Sequence, residues 1–450
     1  MADFSKRLNN AIPGGAHTYS RGDDQFPLNA PSLLISGKGA YVFDANDKEY
    51  LDYGMALRAV TIGYADEEIN AAAIEAINKG NNLTRASMIE LEAAELLIDQ
   101  IPSAEMVKFA KNGSNVTTAA VKLARAFTGK RYVCIPKQHP FFSFDDWFIG
   151  VTEIPKGIPD SHSANTLFFD YGDIESLKQL FTIYDGLIAA VMLEPATIET
   201  PCPKQCDKRS APSCADCSFK TRNFLKEVEV LCREEDALFI LDEMITGFRW
   251  DLKGAQHLYD VNPDLSTFGK GMANGFSVAA LVGRSDVMNQ AAINIKGHER
   301  TFLLSSTHGA EMSSLAAFIA TVKVYKERNV CNKLWKYGES LCTQFNSLAR
   351  CKGISEYLKI VGPFVSPNYQ TLDSSANTSL EMRTLFSQEM IRSGVLMPWI
   401  ALSFSHGDEE LDKTLSAAES AMKIYSMALE DGVEKYLDGP AIKPVFRRFN

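Results

Sequence analysis

Apolar and polar residues alternate through residues 33–53, LLISGKGAYVFDANDKEYLDY, on either side of DANDK. This period of two predicts a β-hairpin closed by an Asn-Asp turn. The period then lengthens: EEINAAAIEAINKG and MIELEAAELLIDQI repeat their apolar residues at helical spacing, the first ended by Gly80 and the second by Pro102. Short apolar runs follow, MVKFA at 106, RYVCI at 131, LIAAVMLEP at 187 and ALFILDE at 237, separated by helical text such as TTAAVKLARAF and TRNFLKEVEVLCREE. The runs at 187 and 237 are almost wholly apolar, as parallel strands covered on both faces must be, so the middle of the chain reads as an α/β domain. From about 311 the text turns helical, and a smaller α+β domain is expected to unite the N-terminal hairpin with this C-terminal part. No internal repeat or low-complexity stretch interrupts the pattern.

Charge and composition narrow the class of protein. The chain has 450 residues, long enough for two or three packed units. Its 46 basic and 56 acidic residues are mixed along the sequence and leave a net charge of -10, which opposes nucleic-acid binding. No segment has the apolar length of a membrane span, and MADFSKRLNN has no apolar run after its charges, so a cytoplasmic protein is expected. Nine cysteines, an odd number, argue against a disulfide scaffold. The Asn-x-Ser/Thr matches at Asn82, Asn115 and Asn377 are accordingly chance.

Three segments carry candidate chemistry. In LDEMITGFRW, Asp242 and Glu243 follow the apolar run at the carboxyl end of a buried strand, where open α/β sheets place ligands; an acid there can equally cap the next turn. In LSTFGKGMANGFSVAALVG, Lys270 lies among Gly269, Gly271 and Gly275 without an acidic neighbour, which suits a Schiff-base lysine with a lowered pKa. A solvated turn lysine gives the same letters. KFAKNGSNVTTAAVKLARAFTG reads as strand, turn and helix, and the free amides at the helix start suit a phosphate; ordinary N-capping accounts for them too.

Taken together, their order and spacing resemble the class III pyridoxal-phosphate aminotransferases, most closely glutamate-1-semialdehyde aminomutase and its relatives. The resemblance runs from IPGGAHTYSRG to SFSHGDEELDKTLSAAES. It implies a PLP-dependent transferase of fold type I: an α/β large domain with a mainly parallel seven-stranded sheet, plus a smaller α+β domain. The parts would be 1–65 and 311–450 for the small domain and 66–310 for the PLP-binding domain. It further implies that Asp242 holds the pyridine nitrogen and keeps the ring an electron sink, and that Lys270 forms the Schiff base and shuttles the proton. Gly113, Ser114 and Asn115 would bind the phosphate, with Asn where the family commonly has Glu. Phe141, or Phe142 beside it, would stack on the ring. Glu194 in MLEP would lie close to the cofactor, and Thr307 in SSTHGAE would reach the phosphate of a neighbouring subunit, which implies a homodimer with shared sites. His139 is a positioning hydrogen-bonder or a base.

On the substrate side, Arg21 in HTYSRG aligns with the arginine that binds the aminomutase's substrate carboxylate, for which bidentate pairing is the reason; a solvated arginine is the alternative. MALRAVTIGYAD replaces the aminomutase's aromatic and Pro-Gly stretch, putting Leu57 at its tryptophan and introducing Arg58, and its gating Glu gives way around Pro398 and Trp399. The leading expectation is therefore an aminotransferase moving an amino group from a small-molecule amino donor to a keto or aldehyde acceptor, the substrate anionic to match Arg21 and Arg58. An intramolecular aminomutase is the alternative, and a non-catalytic zinc-binding interaction protein on the same scaffold is the alternative of another class.

Four of the nine cysteines, Cys202, Cys206, Cys214 and Cys217, fall in CPKQCDKRSAPSCADC, within an insertion at 200–218. Two thiolate pairs at this spacing can close tetrahedrally on a structural Zn²⁺; free or redox-active thiols, an iron–sulfur cluster and disulfides stay open.

Overall fold

The computed structural model describes residues 4–203, 205–206 and 223–450. The chain forms two compact units, one of residues 67–331 and one of residues 1–66 with 332–450.

The larger unit is built on a seven-stranded sheet. Its strands in chain order are β1 (Met106–Ala110), β2 (Tyr132–Pro136), β3 (Thr166–Phe169), β4 (Ile188–Leu193), β5 (Leu238–Asp242), β6 (Leu265–Phe268) and β7 (Ala279–Gly283). They lie side by side in the order β1-β7-β6-β5-β4-β2-β3. Neighbours from β6 through β3 pair in parallel, and β7 runs antiparallel to both β6 and β1. Every residue of β4, β5 and β7 is buried, which is why those segments read as unbroken apolar runs. Edge strand β1 alternates exposed and covered positions instead.

The helices around this sheet are α1 (Glu67–Asn78), α2 (Met88–Gln100), α3 (Gly113–Thr128), α4 (Ile174–Ile183), α5 (Phe224–Glu234) and α6 (Met312–Arg328). Helix α2 opens with a capping box between Ser87 and Glu90. Helix α3 opens under the Asn112 side chain and closes at Gly129, whose φ of 68° is the left-handed conformation glycine tolerates. The helical text after 311 does not form one element: Asn329, at φ 50°, ends α6, and a separate helix, Val330–Cys351, follows. Helix α6 belongs to the larger unit, not to the C-terminal part that the sequence places from 311. Leu315, Phe318 and Val322 are buried, and Phe318 meets Phe248 and Phe109 ring to ring. A helix with so much apolar surface is stable only where neighbours cover it, here α1, α2 and the turn Lys270–Ala273.

In the smaller unit, Leu34–Lys38, Tyr41–Asp44 and Glu49–Asp52 form an antiparallel meander, joined in parallel by the two-residue strand Val395–Leu396. The hairpin turn stands where the alternation places it. Asp47 takes φ 59°, and Asp44 Oδ1 accepts the Asn46 and Lys48 amides at 2.8 and 3.0 Å. A second pair, Leu358–Val361 with Asn368–Thr371, and helices Leu380–Arg392 and Asp408–Asp431 complete the unit. Among the described residues, no helix is long and apolar enough to cross a membrane.

Candidate active site

Because β5 is buried to its last residue, Asp242 stands at the carboxyl end of the sheet with only 2% of its surface exposed. The parallel register puts Thr267 of β6 opposite it. Thr267 Oγ1 donates to Asp242 Oδ1 at 2.9 Å, and the Met244 amide donates to the same oxygen at 3.1 Å. Burial pushes the Asp242 carboxyl up to about 6, and the Lys270 amine, with those two hydrogen bonds, opposes a larger rise. Lys270 follows β6 by two residues and opens the turn Lys270–Ala273 at φ 40°, a left-handed conformation unusual for a lysine. Sheet register thus brings a buried acid and an amine into Coulombic range.

Glu243, the next residue, is also buried and serves architecture. Its carboxylate accepts the Ala255 and Gln256 amides at 2.7 and 2.9 Å and the Thr246 hydroxyl at 2.8 Å. It caps the helix Ala255–Tyr259, and Gly254, at φ 82°, leaves room for it: a Cβ there would stand 2.6 Å from Glu243 Oε1. Met244, one step further, packs its sulfur where a Cβ on Gly113 or on Gly269 would come within 2.9 or 2.7 Å of it. Both glycines keep the turns at the ends of β1 and β6 close to this residue.

Helix α3 starts three residues after β1 ends. The Asn112 side chain accepts the Asn115 amide at 3.0 Å, which leaves the Gly113 and Ser114 amides at the helix start, with the partial positive charge of the helix behind them. Asn115 therefore meets the turn through its backbone. The aromatic segment after β2 is tied to the same helix: the Phe144 amide donates to Ser114 Oγ at 3.0 Å, and Thr117 Oγ1 donates to the Phe142 carbonyl at 2.8 Å. Of the two phenylalanines proposed for stacking, Phe142 is buried against Phe148 and His139, whereas Phe141 is 44% exposed. His139 is buried, with Nδ1 accepting the Glu194 amide at 3.0 Å, so it links the ends of β2 and β4. Burial lowers its pKa to about 3, which makes it a neutral ring with its proton on Nε2. Glu194 itself is buried at the end of β4.

Thr307 is exposed on the segment before α6. Arg21 and Arg58 belong to the smaller unit. Arg21 closes an exposed turn, Tyr19–Arg21, and its charge is felt at the Tyr64 phenol. Arg58 ends a run, Met55 to Arg58, in which all four residues have φ between 40° and 68°. Such a left-handed run costs L-residues on the order of 1–2 kcal/mol each, and the surroundings brace it. Asp52 accepts the Gly54 and Met55 amides at 2.7 and 2.9 Å, and the Tyr64 hydroxyl accepts the Ala56 amide while donating to Asp52. Trp399 Nε1 holds the Gly54 carbonyl at 3.0 Å.

Cys202 and Cys206 are buried, and Cys214 and Cys217 lie outside the described residues. Among the described residues, no group of three or more His, Cys, Asp or Glu could hold a metal ion. The sequence missed Thr267, the double role of the Asp-Glu pair and the brace around residues 55–58. Only the polar Ser-Thr pair between Leu265 and Phe268 was a signal for the first.

Known proteins resemble this chain over most of its length. The Aminotransferase class-III family profile matches residues 22–200 and 210–396, interrupted within the cysteine-rich segment. A 3-aminobutyryl-CoA aminotransferase from Cloacimonas acidaminovorans (strain Evry) is 28% identical, over 91% of this chain and 94% of its own length. A glutamate-1-semialdehyde 2,1-aminomutase from Wigglesworthia glossinidia brevipalpis is 27% identical, over 92% and 95%. The FumI protein of Sphingopyxis sp. MTA144, solved in its PLP internal aldimine form, superposes with a TM-score of 0.82 at 25% identity, over 95% of this chain and 97% of that one. An omega-transaminase from Sphaerobacter thermophilus, 22% identical, shares the fold with a TM-score of 0.79, over 94% and 97%. With the family profile spanning most of its length, the chain belongs to the class-III aminotransferases.

Proposed function

We propose that this protein is a pyridoxal-phosphate-dependent aminotransferase that takes an amino group from an amino donor and gives it to an anionic keto or aldehyde acceptor. The observation that carries this reading is the buried Asp242 carboxyl with the Lys270 amine in Coulombic range, at the ends of adjacent strands. The residues fit the cofactor. A partly exposed Phe141 ring offers a stacking face, and the Gly113–Ser114 amides offer an anion seat in a turn where a Cβ would strike Met244. When bound, pyridoxal phosphate supplies a carbonyl for a primary amine and a ring that accepts electron density from the substrate's Cα.

This chain's residues do the rest. Asp242 would hold the ring nitrogen and keep it protonated. The Lys270 amine would hold the cofactor and would carry the proton to and from the substrate's Cα. Phe141 would orient the ring, and Gly113 and Ser114 would seat the phosphate with Asn115 beside them, while His139 fixes the Glu194 backbone. Arg21 and Arg58 pair with the substrate's anionic group.

The protein works as a homodimer in which Thr307 serves the neighbouring subunit. Supporting this, Ile74, Ile77, Leu83, Met88 and Leu91 are exposed on α1, α2 and their connection, an apolar surface that a second copy would cover. A cytoplasmic site of action agrees with the unbridged cysteines of the described residues.

Protein purified with pyridoxal phosphate is expected to be yellow, to lose its colour on borohydride reduction, and to lack the reducible band in Lys270→Ala. A colourless protein that cannot be charged with the cofactor would end this reading. An aminomutase is the second reading, favoured by the names of relatives such as the Wigglesworthia protein. A half-reaction screen of donors and anionic acceptors separates the two, since an aminomutase turns over one substrate without a second donor.

A further inference from the structure

The exposed residue Thr307 is held by a part of the chain more than two hundred positions earlier. Asn82 Nδ2 donates to the Thr307 carbonyl at 2.9 Å and lies 3.4 Å from His308 Nδ1. Its neighbour Asn81 takes φ 48°, a left-handed conformation that asparagine tolerates better than most residues. Asn81 caps α6 from outside: its backbone carbonyl accepts the Met312 amide at 2.7 Å and its Oδ1 accepts the Ser313 amide at 3.0 Å. Two of the amides that a helix leaves unsatisfied at its start are thereby paired.

The far end of the same segment is fastened too. Glu311 accepts the Ser313 hydroxyl at 3.2 Å and pairs with Lys111 at 3.4 Å, and Lys111 donates to Ser314 Oγ at 2.9 Å. The five residues from Thr307 to Glu311 are thus clamped front and back, with the Thr307 side chain left outward. A short exposed segment with so little packing of its own would otherwise sample many conformations, and an outward threonine could not hold a fixed reach.

We propose that Asn81 and Asn82 are positioning residues that act in trans: they set Thr307 for the cofactor phosphate of the neighbouring subunit. This rests on the reading of the protein as a pyridoxal-phosphate dimer with shared sites. A structural role alone would weaken the subunit that carries the substitution; a positioning role weakens cofactor retention in the other one.

Differently tagged protomers, co-expressed and purified as mixed dimers, distinguish the two. In the first mixture a Lys270→Ala, Asn82→Ala protomer is paired with a wild-type protomer, and in the second a Lys270→Ala protomer is paired with an Asn82→Ala protomer. Each dimer has one Lys270, whose borohydride-sensitive colour is followed during dialysis against cofactor-free buffer. The first mixture is expected to lose this colour about fivefold faster than a Lys270→Ala/wild-type dimer, the loss of one hydrogen bond, and the second to match that dimer. Equal loss in both mixtures, or in neither, would overturn the proposal. Asn82→Asp, which keeps the shape and removes the donor, replaces Asn82→Ala if the alanine variant does not fold. Wild-type protein that takes up no cofactor, or protomers that never mix, would instead refute the underlying dimeric enzyme and the proposal with it.

Discussion

Thr267 Oγ1 meets Asp242 Oδ1 at 2.9 Å across the parallel register of β5 and β6, two residues before the chain leaves β6 for Lys270. This side-chain hydrogen bond therefore ties the acid to the strand that leads into the amine's turn. Replacing Asp242 by Asn is expected to lower kcat by about 10²- to 10³-fold, the usual size of a lost charge at a reacting group. Thr267→Val, which only loosens the carboxyl, is expected to cost about tenfold. Steady-state kinetics with the cofactor in excess measure both, and a Thr267→Val loss as large as that of Asp242→Asn would contradict this ordering.

The same carboxyl makes the cofactor-free protein sensitive to pH. Its value in the folded protein, about 6, is above the ordinary 3.8, so folding favours the protonated form. The stabilisation is present in full at low pH and is lost as pH rises through about 6. Between pH 4 and 7 the wild type should lose roughly 2 kcal/mol relative to Asp242→Asn. Urea unfolding of both proteins at the two pH values reads this difference directly.

The two phenylalanines after β2 should separate by phenotype. Phe142→Ala removes a buried ring and should destabilise the fold by about 3–5 kcal/mol. Phe141→Ala removes a half-exposed ring and should leave the melting temperature within about 2 °C while weakening cofactor retention about tenfold. Thermal melts and dialysis of the loaded protein test the pair.

Arg58 combines backbone strain with a charged tip. At φ 68°, Arg58→Gly should stabilise the protein by about 1 kcal/mol. The same change should raise KM for an anionic acceptor by about tenfold or more, with little effect on kcat. A variant that gains stability and keeps its KM would remove Arg58 from the substrate site.

Legibility in the sequence followed the length and purity of each pattern. The buried runs of β4 and β5 and the Asp44–Lys48 hairpin were plain, since apolar letters and turn letters report directly on burial and on φ. Strand β6 was obscured because Ser266 and Thr267 are polar yet wholly buried, their environment decided by neighbours in the sheet. Val395–Leu396 is too short to show a period and is placed only by pairing with Leu51 and Asp52. MALR is made of helix-favouring letters, and its left-handed course comes from Asp52, Tyr64 and Trp399, not from its own residues. Asp242 stood out by its position at a strand end, and Lys270 by the glycines around it. The anchors Asn81 and Asn82 did not, because their partners are remote in sequence.

The sulfur of Met244 fills the space that Gly113 and Gly269 leave open, and through it the turn proposed for the phosphate and the turn that bears Lys270 share one volume. Neither turn can drift by single substitutions during descent, since a methyl group on one glycine presses the sulfur toward the other. A lineage that enlarges either glycine must first acquire a smaller residue at 244, so the order in which these three positions change is itself constrained.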